Sequence, residues 1–191
     1  MNEAQRGRGR PRKSGADDAI LAATIAGLAQ AGYAELSLES IAARAAVTRP
    51  TLYRRYPNKQ ALVIAALSAA FESVNPRVPD YGDARRDVRA LLENIAAMLT
   101  KTPIGDVIRG LLPELPRDAA LAELAARFAE ARRALLRDAI ARGVDRGELP
   151  ASLDVEVAID ALLGGLYFRF LFLSGALSRA YVTKLVAQIL G

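Results

Sequence analysis

The segment from Ser37 to Lys59 constrains the fold of this chain more than any other, because it predicts two short helices joined by a tight turn. Ser37 is the predicted N-cap of the first helix, whose apolar residues recur at helical spacing: Leu38, Ile41, Ala42 and Ala45. The second helix follows Thr48 as N-cap, and Pro50 lies in its first turn, where no intrahelical N–H is needed. With another helix predicted over residues 17–31, the segment forms a helix-turn-helix bundle.

The outward face of the second short helix indicates a nucleic-acid contact. Leu52 and Tyr56 are predicted to face the core, and the residues predicted to face solvent are Arg49, Thr51, Tyr53 and Arg54. Arginines, a hydroxyl and a phenol on one short helix suit the major groove of DNA.

Composition favours an all-α chain and narrows the chemistry available to it. Of the 191 residues, 52% are hydrophobic and there is no Trp, so the core is mostly aliphatic, and the many alanines favour helix. The chain has neither Cys nor His, which excludes disulfides, the usual zinc ligands and imidazole catalysis. We therefore predict no metal site, no cofactor and no enzymatic activity.

The distribution of positive charge indicates a polyanionic partner. The formal net charge is +5, and ten of the 26 basic residues lie within the first 59 positions. Residues 1–15 are predicted to form a disordered basic arm carrying Arg8, Arg10 and Arg12. The run RGRGRPRK resembles an AT-hook that lies in the minor groove, although phosphate contact alone is the alternative. No apolar run follows these arginines, so we expect no signal peptide and a cytoplasmic protein.

The rest of the chain predicts further helices, for about nine in total. Asn58 caps a long fourth helix, and the prolines and glycine of residues 75–82 mark a boundary. More helices are predicted up to about residue 144. We predict a helix-turn-helix domain over residues 16–60, followed by a larger helical domain over residues 61–191 that contains the dimerisation helices.

The segment that follows Asp154 is the most apolar of the chain. A membrane span is excluded because its longest uncharged run, residues 170–178, has nine residues, where about 18 to 20 are needed. We predict instead that this helix and the last one form a four-helix interface in a homodimer. The predicted contacts are Val155, Ile159, Leu162, Leu166, Phe170 and Leu173 with Tyr181, Leu185 and Ile189.

The helix-turn-helix segment closely resembles the DNA-binding domain of TetR-type transcriptional regulators. The matching residues are Ile41-Ala42, Ala45-Ala46-Val47-Thr48, Pro50-Thr51-Leu52-Tyr53, Tyr56, Asn58-Lys59 and Leu62. One departure is Ala46, where that family usually has glycine in the turn. Alanine must either adopt a left-handed conformation or shift the turn slightly.

The resemblance implies specific DNA contacts. Arg49 and Thr51 are expected to face base edges, and Tyr53 and Arg54 to contact the groove or phosphates. Arg55 is expected to reach the flanking backbone, and Lys59 occupies the family's phosphate-binding position. The predicted DNA-binding set is Ser37, Thr48, Arg49, Pro50, Thr51, Tyr53, Arg54, Arg55 and Lys59, with Arg8, Arg10 and Arg12 of the arm.

The resemblance also implies an effector cavity in the second half of the chain. Arg109, Tyr167 and Arg169 are polar residues among apolar neighbours, so they are candidate ligand contacts, with core packing or interface roles as alternatives. An apolar or amphipathic small molecule would suit such a cavity.

Together these features predict a homodimeric transcriptional regulator that binds a palindromic operator, responds to a small molecule and acts as a repressor. Two alternatives remain open. A nonspecific architectural DNA-binding protein would use the same basic arm and helix, and a small-molecule carrier or enzyme would place its function in the second half.

Overall fold

The computed structural model describes residues 14–72, 79–173 and 175–191, and within these ranges the chain forms α-helices and no strand. Arg8, Arg10 and Arg12 lie outside the described residues, as do residues 75–78, the first half of the predicted boundary segment. The all-α fold predicted from the sequence is confirmed.

Nine α-helices are present in the described ranges: α1 Ser14–Glu35, α2 Leu38–Arg44, α3 Arg49–Arg55, α4 Lys59–Glu72, α5 Ala84–Lys101, α6 Ile104–Leu111, α7 Ala119–Asp145, α8 Val155–Leu171 and α9 Arg179–Leu190. A short 3-10 helix, Leu112–Glu114, follows α6. Side chains accept hydrogen bonds from first-turn amides at the N-caps Ser37, Thr48, Asp83, Asp118, Asp154 and Ser178. These bonds satisfy N–H groups that have no intrahelical partner.

Helix α1 is interrupted where the sequence predicts its end. Gly32 has φ 74° and ψ 177°, which is outside the helical region and costs little for a residue without a Cβ. After this kink the chain continues to Glu35 before α2 begins.

The first hydrophobic core joins the N-terminal helices to the middle of the chain. It contains Ile20 of α1, Leu52 of α3 and Leu62 of α4, together with Val107 of α6 and Leu121 of α7. The first core therefore extends across the predicted domain boundary between residues 60 and 61. The assignment of different functions to the two sides of this boundary stays a prediction.

The second core is built from α5, α7, α8 and α9. Its residues include Leu92, Ile140, Ile159 and Val186, each 3% exposed or less. Helix α7 contributes to both cores, so it connects the N-terminal helices to the C-terminal ones.

The predicted dimer contacts on α8 are partly wrong. Ile159, Leu162 and Leu166 are fully buried and Phe170 is 4% exposed within a single chain, so these four side chains cannot contact a second copy. They face the second core because α5, α7 and α9 pack against that side of α8. In the described ranges, no helix combines the length and the apolar character needed to cross a bilayer.

Candidate functional site

The turn between α2 and α3 is closed by a left-handed alanine. Ala46 has φ 53°, the only non-glycine residue with positive φ in the described ranges. The Val47 N–H donates to the Ala42 carbonyl at 3.0 Å across this turn. The sequence left two possibilities for alanine at this glycine position, a left-handed conformation or a shifted turn, and the structure shows the left-handed conformation.

Helix α3 is held by one buried residue and one cap. Leu52 is fully buried in the first core. The Thr48 hydroxyl accepts a hydrogen bond from the Thr51 N–H at 3.4 Å and lies 2.9 Å from the Thr51 hydroxyl. This seven-residue helix therefore has its orientation set by tertiary packing and not by its own propensity.

The outer face of α3 carries the side chains that were predicted to contact DNA. The Arg49 side chain is 68% exposed, Tyr53 is 45% exposed and Arg54 is also exposed. Glu39 of α2 lies beneath this face: it accepts a 3.3 Å hydrogen bond from the Tyr53 hydroxyl and lies 4.0 Å from the Arg49 guanidinium. Exposed pairs of this kind contribute only about 0 to 1 kcal/mol, so both side chains are available to a ligand.

Arg55 and Lys59 also have partners inside the chain, and these partners lie on α1 instead of α2. The Arg55 guanidinium lies 3.1 Å from Asp17 of α1 as an ion pair, and its side chain is 24% exposed. The Lys59 ammonium donates to the carbonyls of Tyr33 at 2.9 Å and Ala34 at 3.2 Å, beyond the kink in α1. A phosphate contact by either residue would have to share or replace these interactions.

Two family models together match most of the chain. The model described as "Bacterial regulatory proteins, tetR family" matches residues 20–66, which include α2, the turn and α3. The model described as "Tetracyclin repressor-like, C-terminal domain" matches residues 78–189.

The chain belongs to the TetR family of transcriptional regulators. It is 34% identical to the uncharacterized HTH-type transcriptional regulator YdeS of Bacillus subtilis, over 94% of this chain and 90% of that protein. It is 33% identical to the DNA-binding transcriptional repressor TetR of Mycobacteroides abscessus, over 90% of each chain. The crystal structure of the TetR family transcription regulator SCO0332 superposes with a TM-score of 0.66 at 30% identity, covering 91% of this chain and 96% of the other.

TetR-family membership makes this protein a DNA-binding transcriptional regulator, as the resemblance implied, and not an enzyme. In this family context the helix-turn-helix is α2, the turn at Ala46 and α3.

The C-terminal part of this TetR-family chain contains a largely apolar cavity of about 550 Å³ between α4, α6, α7 and α8. Of the three candidate ligand contacts, Tyr167 lines this cavity, whereas Arg109 and Arg169 do not. The Arg109 guanidinium lies 3.9 Å from the Phe170 ring centroid and donates to the Phe170 carbonyl at 3.0 Å. Arg169 packs on the Tyr181 ring at 4.5 Å and donates to the Ala176 carbonyl.

The cavity contains an arginine that the sequence interpretation missed. Arg132 of α7 lines the cavity and is only 6% exposed. It lies four residues after Phe128 and four before Leu136, on the apolar stripe of its helix. A single charged residue at the helical spacing of an apolar stripe is the sequence signal that could have identified Arg132.

A second apolar surface, on α8 and the two residues that follow it, points to solvent and was also missed. Val157 is 62% exposed, Phe168 54%, Phe172 72% and Leu173 58%. At Gly164 on the same face, a Cβ would meet no atom within 4 Å. Leu173 belongs to the predicted interface, and Val157, Phe168 and Phe172 are new. By contrast, Val155, Leu185 and Ile189 are partly buried against the second core, and the half-buried Tyr181 donates its hydroxyl to the Gly165 carbonyl at 3.0 Å.

Proposed function

We propose that the protein is a homodimeric, sequence-specific transcriptional repressor that binds a palindromic operator through α3. The observation that carries this proposal is the exposed face of α3, where Arg49 and Tyr53 project from a short helix anchored by the buried Leu52. Arginine makes bidentate hydrogen bonds to guanine in the major groove, and phenol and guanidinium groups bind phosphates.

The exposed apolar stripe of α8 supports the homodimer. Val157 and Phe168 of α8 and Phe172 at its C-cap expose large apolar side chains, a pattern typical of a protein-protein interface. Gly164 lies within the stripe and allows a second helix to approach closely. A two-fold axis through this surface would present two copies of α3 to two half-sites, which is why we expect a palindrome.

We propose that the cavity holds a small-molecule effector that controls DNA binding. Helix α4 joins the two regions, because Lys59 at its start contacts the end of α1 and Phe71 near its end lines the cavity. A ligand that binds better to a shifted α4 would change the distance between the recognition helices and weaken operator binding. We propose that the protein acts in the cytoplasm and represses transcription by occupying its operator.

Selection of bound sequences from random duplex DNA tests the function directly. We expect the full-length protein to enrich a two-fold symmetric sequence whose half-sites are about one or more helical turns apart. Gel-shift titration at matched salt should then show at least about 1,000-fold tighter binding to that sequence than to scrambled DNA. Equal affinity for both would instead identify a nonspecific architectural protein.

A further inference from the structure

We propose that the effector cavity binds an amphipathic molecule with a single acidic group, which pairs with Arg132 while its hydrocarbon part lies against the apolar walls. This inference rests on the proposed effector function of the same cavity, and it names the chemical class of the ligand and the residue that selects it.

Arg132 is a buried cation without an acidic partner. Among the described residues no carboxylate lies within ion-pair distance of its guanidinium, and its Nε has no hydrogen-bond acceptor. The contacts that it does make are weak: a terminal nitrogen lies 2.9 Å from the Met98 Sδ, and the guanidinium lies 5.0 Å from the centroid of the Phe71 ring. A thioether and an aromatic face compensate only part of the hydration that a buried guanidinium loses.

The other ionisable groups along the cavity do not supply the missing charge. Asp160 lies at the cavity wall but is paired with Arg133, which also binds Glu156. Tyr167 carries a neutral phenol whose pKa is raised further by burial, an effect that the nearby Arg132 opposes. Burial also lowers the pKa of Arg132 itself, because its charged form is removed from water. The one unpaired charge at the described cavity wall is therefore positive.

The remaining walls suit a hydrocarbon. They include side chains from four helices: Leu67, Phe71, Leu111, Leu124, Phe128 and Leu163. A volume of about 550 Å³ is within the range of about 300 to 1,000 Å³ typical of small-molecule sites. A neutral apolar ligand would leave Arg132 unpaired, and a cation would be repelled by it. A single acidic group on an apolar body satisfies both the charge and the walls.

Binding of two matched probes tests this class of ligand. Isothermal titration of the full-length protein with sodium octanoate and with octan-1-ol compares an acid and an alcohol of the same chain length. We expect octanoate to bind about 10- to 100-fold more tightly, because only the carboxylate forms charge-assisted hydrogen bonds with Arg132. This comparison is made in the wild-type protein, so it does not depend on the folding of a variant.

Two substitutions on α7 locate the effect. Arg132→Met replaces the charged side chain with an uncharged one of similar length. It should reduce the affinity for octanoate about 10- to 100-fold and change the affinity for octan-1-ol by less than about threefold. Arg127→Met, which removes an exposed arginine of the same helix, should leave both affinities unchanged. Circular dichroism melts of each variant establish that it is folded before titration.

The outcomes separate the ligand class from the effector function. Failure of octanoate to bind, equal affinity for acid and alcohol, or an unchanged octanoate affinity in Arg132→Met would overturn the inference. A gel shift on the selected operator, with saturating octanoate, then tests the effector role. Arg132-dependent binding that leaves operator affinity unchanged supports the ligand class and contradicts effector control. Equal release of operator by octan-1-ol and octanoate supports effector control and contradicts the ligand class.

Discussion

Gln60 of α4 donates a 2.7 Å hydrogen bond to Asp118, the N-cap of α7. The same carboxylate accepts a 3.3 Å hydrogen bond from the Tyr33 hydroxyl, and it caps α7 by accepting from the Ala120 and Leu121 amides. One side chain thus connects α1 and α4, on the DNA-binding side, to the helix that carries Arg132. Any movement of α4 relative to α7 must break or rearrange these bonds.

A double-mutant cycle tests the connection between α4 and α7. Asp118→Ala should lower the free energy of unfolding by about 0.5 to 2 kcal/mol through loss of the cap alone, measured by urea denaturation. Combined with Gln60→Ala it should show a coupling energy above about 0.5 kcal/mol. Asp154→Ala is the matched control, because Asp154 caps α8 instead of α7, by accepting from the Val157 amide. Additive effects of Gln60→Ala and Asp118→Ala would contradict the connection.

The Asp118 carboxylate also predicts a pH dependence of stability. Burial acts to raise its pKa, but the hydrogen bonds from Leu121, Gln60, Tyr33 and Ala120 together lower the pKa below its usual value. A group with a lowered folded-state pKa stabilises the fold fully above its unfolded-state pKa, and this stabilisation is lost as the pH falls through the folded-state value.

We therefore expect the stability of wild type relative to Asp118→Asn to shrink as the pH falls from about 5 to about 2. Asparagine retains a capping oxygen but does not titrate, so it isolates the charge. Urea denaturation of both proteins across this range gives the difference. A difference that is constant with pH would show that Asp118 acts only as a cap.

Arg49 and Arg54 should separate base recognition from phosphate contact. Arg49→Ala should weaken binding to the selected operator by about 1 to 3 kcal/mol while changing binding to scrambled DNA much less. Arg54→Ala should weaken binding to both DNAs by similar factors, as expected for a phosphate contact. Gel-shift titrations of each variant on both DNAs at one salt concentration make the comparison. An equal loss of affinity for both DNAs in Arg49→Ala would show that Arg49 does not contact the bases.

The exposed stripe of α8 should set the oligomeric state. Phe168→Glu should yield a folded monomer in sedimentation equilibrium, because the substituted side chain would bury a charge at the proposed interface. Tyr81→Glu, at another residue that is 54% exposed, should leave the dimer intact. Leu166→Glu should instead unfold the protein, because Leu166 is fully buried within one chain. A folded dimer of Phe168→Glu would refute the interface.

Replacement of the left-handed alanine gives a local test of the turn. Ala46→Gly relieves a φ of 53° and should stabilise the protein by up to about 1 kcal/mol, after the greater chain entropy of glycine is taken into account. Ala45→Gly is the matched control: its φ of −81° suits alanine, so glycine should destabilise by about 0.5 to 1 kcal/mol. Thermal melts of the two variants should move in opposite directions.

Local chemistry in the sequence was sufficient for the helix-turn-helix and its caps. The caps at Ser37, Thr48 and Asn58 act through amides three residues away, so the pattern of side chains identifies them. The same holds for the outward residues of α3, whose spacing places Leu52 inward. At Ala46 local chemistry left a left-handed residue and a shifted turn as alternatives, and the structure shows the left-handed residue.

Only the tertiary structure decided which apolar residues of α8 are core and which are surface. The helix is apolar on nearly all sides, so periodicity defines two stripes without showing which one α5, α7 and α9 cover. Arginines posed the same problem: Arg109 and Arg169 pack on neighbouring rings, whereas Arg132 faces the cavity unpaired. A side chain's spacing along one helix is local, but its burial and partners depend on helices distant in sequence, and these determine the chemistry of the cavity.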